Sequence, residues 1–311
     1  MASRAQQPAP TANVSISKSR RETLNFFLFT GLAVFGFLLF YLYPIARTVY
    51  LSFTNLKVTS PIFEGVGFEN YQRVLFDDDI FRLAMSNTFK YAVVVGVVKI
   101  VLALGTAMLL NTGLKFMGFF RSIFFLPFII PAFAVAYVFR FFFHPANGLV
   151  NGLLAQIGVQ GPGWYADSST ALQTLMIASL WSFGVPMLIF LAALQDVPKE
   201  LYEVAELEGA TPWAKFRHIT FPTISPVFLF NATLITIDAL KSFDLAFLMG
   251  QGSGYPANST LLYSVYLFSQ AFTSPYRLGY ASAIALIFFA LLMLLTGINF
   301  LLGKLYVRTE T

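Results

Sequence analysis

From Leu278 to Gly303 the chain runs without an Asp, Glu, Lys or Arg, and the same holds from Thr23 to Ala46. About 20 apolar residues carry a helix across roughly 30 Å of hydrocarbon. A helix that is apolar on every side has no stripe to present to water, so its surroundings are lipid or protein. With 57% of the 311 residues hydrophobic and 11% charged, too little polar surface remains to cover a water-soluble body. A mean hydropathy of +0.70 excludes a disordered chain. Zero Cys excludes a disulfide scaffold and thiolate metal sites. The two histidines, His144 and His218, form no H-E-x-x-H, which argues against a zinc centre. The +5 charge comes from dispersed basic residues that flank apolar runs; these are topology signals rather than a nucleic-acid surface.

The pattern predicts six membrane-spanning helices: Thr23–Ala46, about Asn87–Asn111, about Phe119–Phe143, one within Ser168–Gln195, about Pro226–Met249, and Leu278–Gly303. The first is not expected to be a cleaved signal peptide, because a polar stretch precedes it and no A-x-A site follows. Eleven Lys and Arg fall on one side: Arg4, Lys18, Arg20, Arg21, Lys115, Arg121, Lys199, Lys215, Arg217, Lys304 and Arg308. Lys57, Arg73, Arg82 and Arg277 fall on the other. That asymmetry predicts both termini in the cytoplasm. The fold class expected is therefore all-α integral membrane, N-in and C-in. Residues 1–22 read as a disordered cytoplasmic tail, 23–303 as the membrane domain, and 304–311 as a second short tail. The loops near Thr54–Ser86 and Pro145–Ser168 are placed outside.

The cytoplasmic segment 196–226 is more structured than a connector requires. Asp196 can cap a helix with Pro198 in its first turn, and Leu201, Val204 and Ala205 share a face. Gly209 stands where a helix ends in the left-handed region. Thr211-Pro212 opens a second helix carrying Trp213 and Phe216 on one face, which Pro222 and Pro226 are expected to stop. Two short amphipathic helices with a glycine elbow suit docking into a partner's groove. Lying on lipid headgroups is the alternative, but the acidic content of the segment opposes it.

Glu203-Val204-Ala205, three residues, Gly209, nine residues, then Ile219-x-x-Pro222 resembles the EAA loop of permease subunits of binding-protein-dependent ABC importers. That signature is E-A-A-x(3)-G-x(9)-I-x-L-P; Val204 and Phe221 stand in place of Ala and Leu. Pro198–Ala210, Gly67–Leu75, Phe120–Pro131, Ser242–Met249 and Gly279–Ala283 are similar to the sugar-permease branch, the maltose and glycerol-3-phosphate kind. The resemblance covers about Asn25 to Gly303 and implies a type I importer fold. It implies as partners a second, similar permease chain, two ATP-binding cassette subunits, an extracytoplasmic solute-binding protein, a carbohydrate and membrane lipid, but no nucleic acid. It places the chain in a bacterial or archaeal plasma or inner membrane. It also makes Leu201, Tyr202, Glu203, Val204, Ala205, Gly209, Ala210, Trp213 and Phe216 the ATPase-coupling residues. No cofactor is expected, because the chain has no G-x-x-x-x-G-K-[ST] and ATP must be bound by the partner.

Ionisable groups at bilayer depth cost about 2.5–3.5 kcal/mol each and usually face protein or a water-filled cavity. Asn231, Asp238 and Lys241 are expected near one face of the fifth span, with Asp244 drifting off it. Two readings stand open: a polar face on the substrate path, or a neutralising Asp238–Lys241 or Lys241–Asp244 pair. Trp181 offers either a stacking face for a sugar or a packing group. Arg47, Lys90, Lys99 and Arg140 read as snorkelling side chains near span ends, and His144 as an outer-surface residue. The rival function is an ion-driven secondary transporter using Asp238, Lys241 and Asp244. An intramembrane enzyme finds no Ser–Lys, Asp–Asp or His–Glu constellation at plausible depth, apart from the fifth-span charges.

Overall fold

The structure is a computed structural model that describes residues 16–60, 62–113 and 116–303. Residues 1–15 of the expected disordered tail, Lys115 and the 304–311 tail lie outside the described residues. The chain divides into two units, Met1–Tyr50 and Leu51–Thr311. In the first, α1 (Ile16–Phe37) passes through one wide π-helical turn, Leu38–Leu42, into α2 (Tyr43–Ser52). The wide turn precedes Pro44, whose ring would crowd the Phe40 carbonyl of a regular helix and which offers it no N–H. Helix therefore begins at Ile16, inside the stretch expected to be disordered, and runs beyond Ala46. Phe29 and Phe40 stand open on it, at 72% each.

The second unit contains α3 (Glu69–Gln72), α4 (Asp79–Leu110), α5 (Met117–Ile129), α6 (Ala132–Phe142), α7 (Leu149–Gln156), α8 (Ala171–Leu180) and α9 (Gly184–Gln195). There follow α10 (Lys199–Leu207), α11 (Pro212–Lys215), α12 (Phe221–Leu240), α13 (Asp244–Met249), α14 (Tyr263–Phe272) and α15 (Leu278–Gly303). Among the described residues, Asn25–Ser52, Asp79–Leu110, Pro212–Met249 and Leu278–Gly303 are long and apolar enough to cross a membrane. The bent pairs α5 with α6 and α8 with α9 bring the number to six if each is one span.

Several expected boundaries are corrected. The second span begins at Asp79 rather than Asn87, because Asp78 accepts the Phe81 N–H at 2.8 Å and caps the helix there. The third is no single helix: α5 and α6 meet at 98°. Pro131 biases Ile130 to extended backbone (φ −74°, ψ 126°), and an extended residue cannot carry a helix through. The fourth breaks at Trp181–Phe183 with a 44° bend. The fifth is longer than expected. Pro222 and Pro226 do not stop α11, which runs through a wide turn, Phe216–Thr220, into α12. Pro226 frees the Pro222 carbonyl, and the Ser225 hydroxyl donates to that carbonyl at 2.8 Å.

Along α4 the buried positions Phe81, Ala84, Thr88, Ala92, Val95, Lys99, Ala103, Ala107 and Leu110 recur every three or four residues, which is one helical face. That face packs along α9 and α12. It meets one apolar cluster through Phe81 to Val95, with Leu175, Leu240, Tyr263 and Ile284. It meets a second through Ala103 to Leu110, with Met187, Phe190, Leu194 and Ile224. Between the two clusters the stripe carries Lys99. At the start of α4, Asp78 accepts the hydroxyls of Tyr266 (2.5 Å) and Tyr280, fastening α14 and α15 to it. Burial works to raise the Asp78 pKa, but the two tyrosine hydroxyls and the Phe81 and Ile80 N–H groups prevail, and the carboxyl sits below its ordinary value.

Candidate functional site

Three helix breaks converge at the level of Lys99. Pro127–Ala132 from the α5/α6 bend, Trp181 and Ser182 from the α8/α9 bend, and Lys241–Leu245 from the α12/α13 break line one cavity of about 520 Å³. Broken helices leave main-chain N–H and C=O groups without intrahelical partners, and at membrane depth such backbone is tolerated where it lines a cavity. The side chains match that polarity. Lys99 and Lys241 supply cations, Asp238 and Asp244 carboxylates, Tyr91 and Ser182 hydroxyls, and Trp181 and Phe243 ring faces.

The ion pair is not the one expected. Lys99 Nζ stands 3.6 Å from Asp238 Oδ2, joining α4 to α12. The Lys99 side chain is 8% exposed and that of Asp238 76%. Lys99 is thus a buried cavity residue rather than a snorkelling one, and Lys241 makes no ion pair among the described residues. Asn231 is also displaced from its expected place: it is fully buried, outside the cavity, and its Nδ2 donates to the Pro186 carbonyl at 3.0 Å. It ties α12 to the first turn of α9. Trp181, Asp238, Lys241 and Asp244 do share the cavity. Trp181 remains 48% exposed, edge-on to Phe139.

The segment 196–226 lies toward the opposite end of α4 from Asp78, beside the second apolar cluster through Tyr202 and Ile219. Asp196 closes α9 rather than capping α10, whose first flanking residue is Pro198. At its end the Ala210 N–H bonds the Ala205 carbonyl at 2.9 Å and the Gly209 N–H bonds that of Glu206 at 3.0 Å. With Gly209 at φ +75°, this is a Schellman turn. Thr211 accepts the Ala214 N–H at 3.2 Å ahead of Pro212, and Lys215 pairs with Glu206 at 2.7 Å across the elbow. Leu201 (46%), Val204 (56%) and Trp213 (67%) are exposed, Glu203 is exposed, and Ala205, Ala210 and Phe216 are half-buried. Trp213 stacks on Phe216 with ring centroids 5.5 Å apart. Tyr202 turns the other way, its hydroxyl 2.8 Å from that of Thr220. Leu207, at 90%, is the most exposed apolar residue here and was not among those expected.

The family of binding-protein-dependent transport system inner membrane components matches residues 99–307. The chain is 35% identical over 295 residues to the probable ABC transporter permease protein YesP of Bacillus subtilis, covering 94% of both. It belongs to that family. The permease is also 34% identical over 288 residues to the lactose transport system permease protein LacF of Rhizobium radiobacter, covering 91% of this chain and 95% of LacF. Its fold is that of a chain in the crystal structure of a bacterial ABC transporter involved in the import of the acidic polysaccharide alginate. The TM-score is 0.80 at 20% identity, over 94% of this chain and 99% of that one. As an ABC permease subunit it is a multi-pass membrane transport component and not an enzyme.

Two residues of the permease, Lys99 read as snorkelling and Leu207 not singled out, left in the sequence a signal of their actual place. Lys99 occupies the small-residue stripe Thr88, Ala92, Val95, Ala103, Ala107 in register, so periodicity places it inward. Leu207 follows Leu201 and Val204 at intervals of three, extending their exposed face by a turn.

Proposed function

We propose that this permease forms one membrane half of an importer for a carbohydrate that an extracytoplasmic binding protein delivers. A second, similar permease chain and two ATP-binding subunits complete it, in a bacterial or archaeal plasma or inner membrane, with both termini cytoplasmic. The observation that carries this is the 520 Å³ cavity where three helix breaks meet between two apolar clusters. Hydroxyls, carboxylates, ammonium groups and free main-chain groups give a polyhydroxylated solute donors and acceptors, and Trp181 and Phe243 give its C–H faces a surface.

The segment 196–226 supplies the drive. Tyr202, Thr220 and Ile219 hold its inner side to the membrane body. Leu201, Val204 and Leu207 with Trp213 offer the ATP-binding subunit an apolar face, flanked by Glu203. The Schellman turn at Gly209 sets the angle between α10 and α11, and α11 continues into α12, which carries Asp238. Movement of the docked segment thus reaches the cavity wall through one continuous helix.

Coexpression of the whole importer tests this. Gly209 has no heavy atom within 4 Å of an added Cβ, so Gly209→Val acts through the backbone alone, at about 1–2 kcal/mol for a left-handed non-glycine residue. The expected result is a membrane-inserted complex that loses its ATP-binding subunit on purification and loses ATP-driven oligosaccharide uptake in proteoliposomes. Leu207→Asp should do the same without backbone strain. Parental copurification and uptake in both variants would overturn the coupling assignment.

A further inference from the structure

A second polar site lies at the far end of the second unit. We propose that a pocket of about 210 Å³ beside Tyr280 receives a carboxylate side chain of the binding protein, gripped by Lys57, Arg73 and Arg277. The proposal rests on the importer reading above, which places this end of α4 and α15 outside.

The charge balance of the pocket is uneven. Lys57, Arg73 and Arg277 line it against one carboxylate, Glu69. Among the described residues none of these three cations makes an ion pair, and none of their side chains makes a hydrogen bond. Asp78, which meets Tyr280 as Arg73 does, is already engaged. Its Oδ2 is already taken by the hydroxyls of Tyr266 and Tyr280, and its Oδ1 by the Phe81 N–H. Arg73 instead lies over the face of Tyr280, its guanidinium carbon 5.4 Å from the ring centroid. A cation–π contact of this kind satisfies none of the guanidinium N–H groups, which remain available to pair with a carboxylate through two parallel bonds.

The walls are built rather than incidental. The Gly279 N–H donates to the Leu56 carbonyl at 3.0 Å, and the Val58 N–H to that of Tyr276 at 3.0 Å, holding the Lys57 turn against the start of α15. Asn70 Nδ2 donates to the Ser52 and Thr54 carbonyls at 2.8 and 2.9 Å, holding α3 in place. A Cβ on Gly279 would come 2.0 Å from the Thr54 carbonyl oxygen, so the approach of these segments depends on that glycine. Charge complementarity names the occupant. A neutral sugar would leave the two surplus positive charges unmatched, whereas a partner's Asp or Glu offsets one of them and fixes the register of docking.

The test uses the complete importer in nanodiscs with its loaded binding protein, reading ATPase rate against binding-protein concentration. For Arg73→Gln/Arg277→Gln the half-saturating concentration should rise about tenfold, with basal and maximal rates unchanged and a flatter dependence on salt. Lys57→Gln, on an exposed turn, should shift it in the same direction and keeps the test open if the double variant fails to assemble. Unchanged half-saturation in Lys57→Gln and in any assembled arginine variant would overturn the proposal. So would a shift seen in discs of anionic lipid but absent in pure phosphatidylcholine, since the pocket would then hold a net-anionic lipid headgroup. A parental complex indifferent to its binding protein would refute the importer reading, and this proposal with it.

Discussion

Lys99 and Asp238 invite a stability experiment whose outcome is asymmetric. Their charges stand 3.6 Å apart, which corresponds to about 4.6 kcal/mol at an effective dielectric of 20 and about 1.2 kcal/mol in bulk water. Asp238 is 76% exposed to the cavity, so screening brings the coupling toward the lower figure, about 2 kcal/mol. Lys99 is 8% exposed, so its desolvation cost is present whether or not Asp238 is there to offset it. Asp238→Asn should therefore lose the whole coupling, about 2 kcal/mol. Lys99→Met loses the same attraction but also removes the desolvated charge, and should fall within about 0.5 kcal/mol of the parent. The double variant should sit beside Lys99→Met, which makes the cycle non-additive by about 2 kcal/mol. Denaturant unfolding of the complex in nanodiscs, followed by tryptophan fluorescence, measures all four corners. Greater damage from Lys99→Met than from Asp238→Asn would refute the one-sided burial, and a double variant costing the sum of the singles would refute the pairing.

Gly184→Ala should cost about 2 kcal/mol, because its Cβ would come 2.3 Å from the Phe124 carbonyl oxygen and 2.9 Å from the Phe125 Cα, both backbone atoms. Gly105→Ala, with open space around it, serves as the control in the same unfolding assay. Asp78 sits below its ordinary value of 3.8, so its contribution is fully present above that pH and fades as pH falls through the lower folded value. The stability gap between the parent and Asp78→Asn should accordingly be full at neutral pH and close in acid; a gap that widened on acidification would contradict the Asp78–Tyr266–Tyr280 arrangement.

The features legible in the sequence are those decided within a few residues. An uncharged run such as Leu278–Gly303 has no water-facing stripe, whatever packs beside it. The Gly209 elbow is equally local. Its positive φ, the Thr211 cap and the Pro212 start are set by sterics and by hydrogen bonds spanning three to five residues. Proline was ambiguous at that range. Pro131 ended a helix, while Pro44, Pro222 and Pro226 were absorbed by wide turns and a serine hydroxyl, and which of these happens depends on what the surrounding helices hold in place.

The cavity was decided by tertiary structure. Its walls come from Tyr91 and Lys99 of α4, the α5/α6 and α8/α9 bends, and Asp238 with the α12/α13 break, and no local rule brings those segments to one level. Sequence spacing put Asn231 on the face of Asp238, yet packing against α9 turned it to the Pro186 carbonyl. The same spacing suggested Lys241 as the partner of Asp238, and the partner proved to be Lys99, on another helix. A helix's periodicity says which residues share a face. Which face meets which neighbour is settled by the burial of whole stripes against one another, so long-range pairs form only when the helices have packed.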